Sequence, residues 1–177
     1  GMPRRCKAWK DLSRDLSVSE FTARLENPGK VVIHSTYQLT ETGFILKYTY
    51  TVYADGEIGV DYHLRPAEGT DLSKVAELPR VGTFFRLPEK FDHVKWYGRG
   101  PHENYCDRKT SAFVGIYEAS VKDLYVPYVR PQENGYRTEV RKLIIQGTDG
   151  SGLLVKGKPV ISFSALPYSL HSLDYTS

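Results

Sequence analysis

The stretch Phe44-Ile45-Leu46-Lys47-Tyr48-Thr49-Tyr50-Thr51-Val52-Tyr53-Ala54-Asp55-Gly56-Glu57-Ile58-Gly59-Val60-Asp61-Tyr62-His63-Leu64 settles the fold class. Ile45, Lys47, Thr49 and Thr51 interleave with Leu46, Tyr48, Tyr50 and Val52, a period of two that belongs to a strand with two faces. Asp55-Gly56 then stands between two alternating runs, which signals a hairpin because a tight primed turn needs positive φ. The returning run sets Ile58, Val60, Tyr62 and Leu64 against Glu57, Gly59, Asp61 and His63. That register predicts one buried apolar face and one wet or interfacial face, with His63 pointing outward.

On the N-terminal side of this hairpin, Val31–Tyr37 reads as the preceding strand. Residues 65–79 read as a loop containing Pro66, Gly69 and Pro79. Further strands are predicted at Val81–Leu87, His93–Tyr97, Ala112–Tyr117, Thr138–Gln146, Leu153–Gly157 and Val160–Ala165. Two turn-rich segments, 98–108 and 129–137, interrupt them. Before residue 31, Leu12, Leu16, Phe21 and Leu25 are too loosely spaced for a helical face, so residues 1–30 read as a linker or one short helix. Many short strands without βαβ alternation predict an all-β chain of antiparallel sheets packed as a β-sandwich, with residues 31–177 forming one domain.

The composition narrows the partners. With 24 basic and 21 acidic side chains spread along 177 residues, the formal charge is +3 and no like-charge block exists, so nucleic acid is not implied. No run approaches the roughly 18 apolar residues of a membrane helix, and no signal-peptide layout opens the chain. A soluble protein is expected, cytoplasmic or periplasmic. Cys6 and Cys106 lack metal-ligand spacing, so no zinc site is expected; a disulfide between them stays open. Gly1-Met2 reads as a tag remnant, and the chain is expected to be a piece cut at both ends.

The chemically versatile residues gather in the two turn-rich segments. Glu103 and Glu133 are each followed by Asn, and a carboxylate pair is what most glycoside hydrolases use. The structural alternative is that Glu103, Asp107 and Glu133 pair with Arg99, Arg108, Arg130 or Arg137, holding irregular loops by charge-assisted hydrogen bonds. That alternative is favoured, because irregular loops carry backbone donors that need such partners. His102 has no nucleophilic Ser or Cys in an elbow setting, and Gly98-Arg99-Gly100 has no helix behind it for a phosphate. Trp96 lies in an apolar strand and is a core candidate, whereas the sequence leaves Trp9 open.

A resemblance enters at these loops. Leu78-Pro79-Arg80-Val81-Gly82, then Val94-Lys95-Trp96-Tyr97-Gly98-Arg99-Gly100-Pro101-His102-Glu103-Asn104-Tyr105 with Asp107-Arg108, resembles the C-terminal, or small-chain, domain of family 2 β-galactosidases. Tyr125-Val126-Pro127-Tyr128-Val129-Arg130-Pro131-Gln132-Glu133-Asn134-Gly135, with Arg137 and Arg141, continues the pattern in order, as do Phe163-Ser164-Ala165 and Tyr168-Ser169. Trp9-Lys10 matches the tryptophan that opens this domain. The resemblance implies a supersandwich like that of aldose mutarotases, standing behind a catalytic TIM barrel that holds both catalytic glutamates. Glu103 and Glu133 match positions that are not those two groups.

The resemblance further implies a non-catalytic domain fragment of a retaining β-galactosidase, with no catalytic residue, metal or cofactor of its own. Arg99, His102, Glu103, Asn104, Asp107, Arg108, Arg130, Gln132, Glu133, Asn134 and Arg137 are its motif-loop residues, with structural or interface roles. Its expected partners are the catalytic barrel, galactoside sugars, and a second copy through an exposed sheet edge. Two departures are visible: Cys106 stands where the family usually has proline, and the family's later Gly- and Asp-rich segment, whose tryptophan reaches the galactose site, has no counterpart. About Asp11 to Glu20 lies where the family has a loop near the active-site mouth, without close similarity. A free-standing carbohydrate-binding module is the alternative, and a mutarotase-like epimerase rests on fold analogy alone.

Overall fold

The computed structural model describes residues 2–10, 12, 16–129 and 133–173. The chain is all-β: two antiparallel four-stranded sheets and three helices of four residues each, the make-up of an all-β sandwich. It divides into two compact units, Gly1–Thr83 and Phe84–Ser177.

The first unit is a meander of β1 (Ser17–Asn27), β2 (Lys30–Leu39), β3 (Phe44–Tyr53) and β4 (Ile58–Pro66), in that order across the sheet. β3 has the bounds read from the sequence. Its pairing with β4 sets Leu46, Tyr48, Tyr50 and Val52 opposite Leu64, Tyr62, Val60 and Ile58, so the alternation lies in register across the hairpin. The turn differs from the expected primed type. Gly56 alone has positive φ (91°) and Asp55 does not. Tyr53 N–H donates to Glu57 O (2.9 Å) and Gly56 N–H to Tyr53 O (3.1 Å), the pattern of a three-residue loop in which glycine takes the left-handed position. Asp55 instead accepts from Glu57 N–H through its side chain.

Further differences have physical causes. β1 lies inside the segment read as linker or helix; it is an edge strand exposed along its whole length, with two register shifts against β2, so no clean alternation marks it. The apolar set of β4 shares one face but is not covered: Ile58 and Val60 are 59% and 46% exposed. Alternation fixes the side a residue faces, and says nothing about what lies over it. Val81–Leu87 is not a strand, because it has no ladder partner. The lead-in is anchored within this unit: Trp9 of the short helix α2 (Lys7–Lys10) donates to Ala76 O (3.0 Å) and meets Phe44 edge-on, and buried Cys6 reaches Glu77 O. Cys6 and the exposed Cys106 are both free.

The second unit orders its strands β6-β5-β7-β8: β5 (His93–Gly100), β6 (Phe113–Ser120), β7 (Arg137–Gln146) and β8 (Gly152–Phe163). The two strands read at 153–157 and 160–165 are one strand, β8; the interrupting Pro159 is tolerated because β8 is an edge. β5 alternates with a period of two between buried Val94, Trp96, Gly98 and Gly100 and outward Lys95 and Tyr97. Val94 and Trp96 join Leu124, Val140, Leu143, Ile145 and Phe163 in the core, as expected for Trp96. Two glycines make this packing fit. A methyl on Gly98 would stand 2.7 Å from Val140 Cα, and one on Gly100 would stand 2.7 Å from the Tyr117 ring.

Gly98→Ala should therefore cost about 2–3 kcal/mol through overpacking against backbone, whereas Gly82→Ala, with open space around it, should stay within about 1 kcal/mol of the parent. Urea unfolding of both variants checks this, and equal midpoints would refute the close approach.

The β7–β8 hairpin closes on Asp149, which accepts from Lys90 and from Ser151 N–H and Oγ. The Lys90 ammonium and then the Ser151 hydrogen bonds hold its carboxyl at about 2. A folded value below the unfolded one stabilises the fold above the unfolded carboxylate range and is lost as pH falls from about 4 towards 2. A carboxyl-carbon NMR titration should show this midpoint, and Lys90→Ala should move it upward.

Candidate functional site

The site is built from two irregular connections, 101–112 between β5 and β6 and 121–136 between β6 and β7. A loop that runs partly buried must find partners for its backbone groups, and here polar side chains supply them. Asn104 is fully buried. Its Oδ1 accepts from Thr138 N–H (3.0 Å) and Thr138 Oγ1 (2.7 Å), its Nδ2 donates to His102 O, and its backbone N–H donates to Tyr136 O. Asn134, 1% exposed, accepts from Val126 N–H (2.8 Å) and donates to Val126 O (2.6 Å), standing in for a strand neighbour across the neck of its loop.

Glu103 joins the two connections. Its side chain is nearly buried, and its carboxylate accepts from Arg108 Nη2 (2.7 Å), Gly135 N–H (2.9 Å), Tyr105 OH (3.3 Å) and Tyr128 OH. Tyr105 stacks on Tyr136 and lies beneath the Arg108 guanidinium. Burial first, and the Glu103 charge second, push the Tyr105 phenol upward, so it stays a hydrogen-bond donor at neutral pH.

Arg137 is the second buried charge. Nη1 donates to Gly135 O (2.7 Å) and Leu124 O (3.3 Å), and Nη2 to Pro101 O (3.2 Å). Its Nε has no hydrogen-bond partner, and the cation–π contact with Trp96, 5.5 Å from guanidinium carbon to ring centre, is the compensation within reach. Burial holds its pKa below the usual arginine value. Trp96, Glu103, Arg108, Tyr128 and Arg137 line a shallow cavity of about 560 Å³.

The other candidates fall around this centre. Arg99 pairs with Glu139 (2.9 Å) and donates to Ala112 O (2.7 Å), tying the 101–112 connection to β7. His102 is exposed and lies 3.2 Å from Ser111 Oγ. Asp107 lies exposed in the turn bridged by Tyr105 and Arg108. Glu133 is exposed, and its charge is felt by Tyr105. Arg130 and Gln132 fall outside the described residues. Among the described residues no group of three or more His, Cys, Asp and Glu side chains could hold a metal ion, and no helix is long and apolar enough to cross a membrane.

Glu139 was not singled out by the sequence. It occupies a bulge of β7 with φ of 53°, a strained value for a residue with a side chain, and Arg99, Lys109 and its own carbonyl's bond to Arg141 hold it there. Hydrogen bonds from Lys109 and then Arg99 lower its pKa. Nothing in Thr138-Glu139-Val140 distinguishes it from an ordinary strand residue.

The sequence model of the family described as Beta galactosidase small chain matches residues 2–177. The chain belongs to that family. A Beta-galactosidase of Priestia megaterium is 39% identical over 170 residues, covering 96% of this chain and 16% of the relative. One from Halalkalibacterium halodurans is 33% identical over 86% of this chain, and one from Vibrio cholerae 38% identical over 72%. This small-chain sequence therefore spans about one-sixth of the length of relatives it matches, and it is a fragment of a larger enzyme.

If Glu103 anchors both loops, Glu103→Gln should destabilise this small-chain unit by about 2–4 kcal/mol, because an amide nitrogen would face donors and leave Arg108 unpaired. Chemical unfolding read at Trp96 measures it; a change below about 0.5 kcal/mol would remove Glu103 from that role.

Proposed function

We propose that this chain is a non-catalytic supporting domain of a β-galactosidase whose catalytic barrel, elsewhere in the parent polypeptide, hydrolyses terminal β-D-galactosides by two glutamates and a covalent intermediate. The domain docks against that barrel and shapes the surroundings of its active site. The observation that carries this reading is the state of Glu103. Four donors converge on its two oxygens, so its lone pairs are committed to holding loops, and the exposed Glu133 forms no carboxylate pair with a buried, available partner. A general acid or nucleophile needs a carboxyl free to meet substrate.

A second reading, a carbohydrate-binding module, draws on the cavity beside Glu103, Arg137 and Tyr128, where polar groups and an aromatic side chain lie together.

Hydrolysis of a chromogenic β-galactoside by the chain at high concentration should equal the buffer rate. Activity abolished by Glu103→Gln or Glu133→Gln would move catalysis into this domain. Calorimetric titration with galactose and lactose is expected to show no submillimolar binding, and such binding would favour the second reading.

A further inference from the structure

Four sheet edges are present among the described residues, and three carry the features that keep edges from pairing with other chains. β1 has Glu20, Arg24 and Glu26 and two register shifts. β4 has Asp61, His63 and Arg65. β8 has Lys156, Lys158 and Pro159, and its pairing with β7 is irregular. β6 differs. Phe113-Val114-Gly115-Ile116-Tyr117 has no charge and no proline, and its ladder to β5 runs unbroken. Phe113 and Ile116 are 74% and 71% exposed. A neutral run rich in β-branched and aromatic residues, straight and at an edge, is a template for another strand.

We propose that β6 is a strand-addition edge and that its partner is β6 of a second copy of this chain, paired antiparallel. Identical strands paired in this way close as a two-fold dimer and extend the four-stranded sheet across both copies. The strand is its own complement in charge. Glu118 is the nearest charged residue, and Lys95 (3.6 Å) already opposes it within its own sheet. A register centred on Gly115 sets Glu118 against Ala112 of the second copy, and one centred on Ile116 sets it against Val114, so like charges do not meet. Val114 and Ile116 share the outer face with Tyr97, giving the joined sheet an apolar seam. A single strand pair buries less than a standard interface, so a weak dimer results, with Kd of about 10–100 µM. This inference is independent of the supporting-domain reading.

Sedimentation velocity over about 1 to 300 µM should show the mass rising from 20.1 kDa towards twice that value. Amide exchange across Val114–Tyr117 should slow as concentration rises. Ile116→Lys should weaken association at least about tenfold while leaving circular dichroism and the urea midpoint unchanged, since the side chain is exposed; Val114→Glu provides the same test with the opposite charge. Phe21→Lys on β1 should leave association intact. A monomer throughout the range, association undiminished in both β6 variants, or equal loss in Phe21→Lys would overturn the proposal.

Discussion

The carboxylate of Glu103 holds the motif loops in place. A negative charge taken almost wholly out of water is costly unless each lone pair is met, and here an arginine, two tyrosine hydroxyls and a backbone N–H meet it. The donors come from both connections, so one side chain fixes the 101–112 and 121–136 segments together. Asn104 and Asn134 extend the same solution to neutral groups, each satisfying backbone that no strand reaches. Arg137 completes it from β7, with three carbonyl contacts and the Trp96 ring.

This polar anchorage and the apolar core beneath it share one strand. β5 turns Val94 and Trp96 inward, and its glycines at 98 and 100 leave room for Val140 and Tyr117. The bulge at Glu139 interrupts β7 at the level of Gly98, and the Arg99 and Lys109 contacts give the strained backbone a fixed place. The site is thus a property of the sheet's irregular end, where ladder bonds give way to side-chain bonds.

Legibility followed the range of each interaction. The β3–β4 hairpin could be read because period two and Asp-Gly are local, yet even there the turn type was not, since it depends on how Asp55 bonds to Glu57. β1 escaped notice because an exposed edge needs no alternation. The loop residues stood out as chemically versatile, and the favoured expectation of arginine–carboxylate pairs matches the Glu103–Arg108 contact; Arg99, however, took Glu139, whose partner set is assembled from residues 30 and 40 positions away.

Patterns written along the chain were enough for the all-β class, for the strand that carries Trp96 and, through long ordered motifs, for membership in the β-galactosidase small-chain family. Folding in three dimensions was needed to saturate Glu103 with donors, to close a loop on Asn134, to seat Glu139 in a left-handed bulge and to leave the apolar face of β4 uncovered. Each of these depends on what distant segments bring to a residue, and neither composition nor spacing contains that.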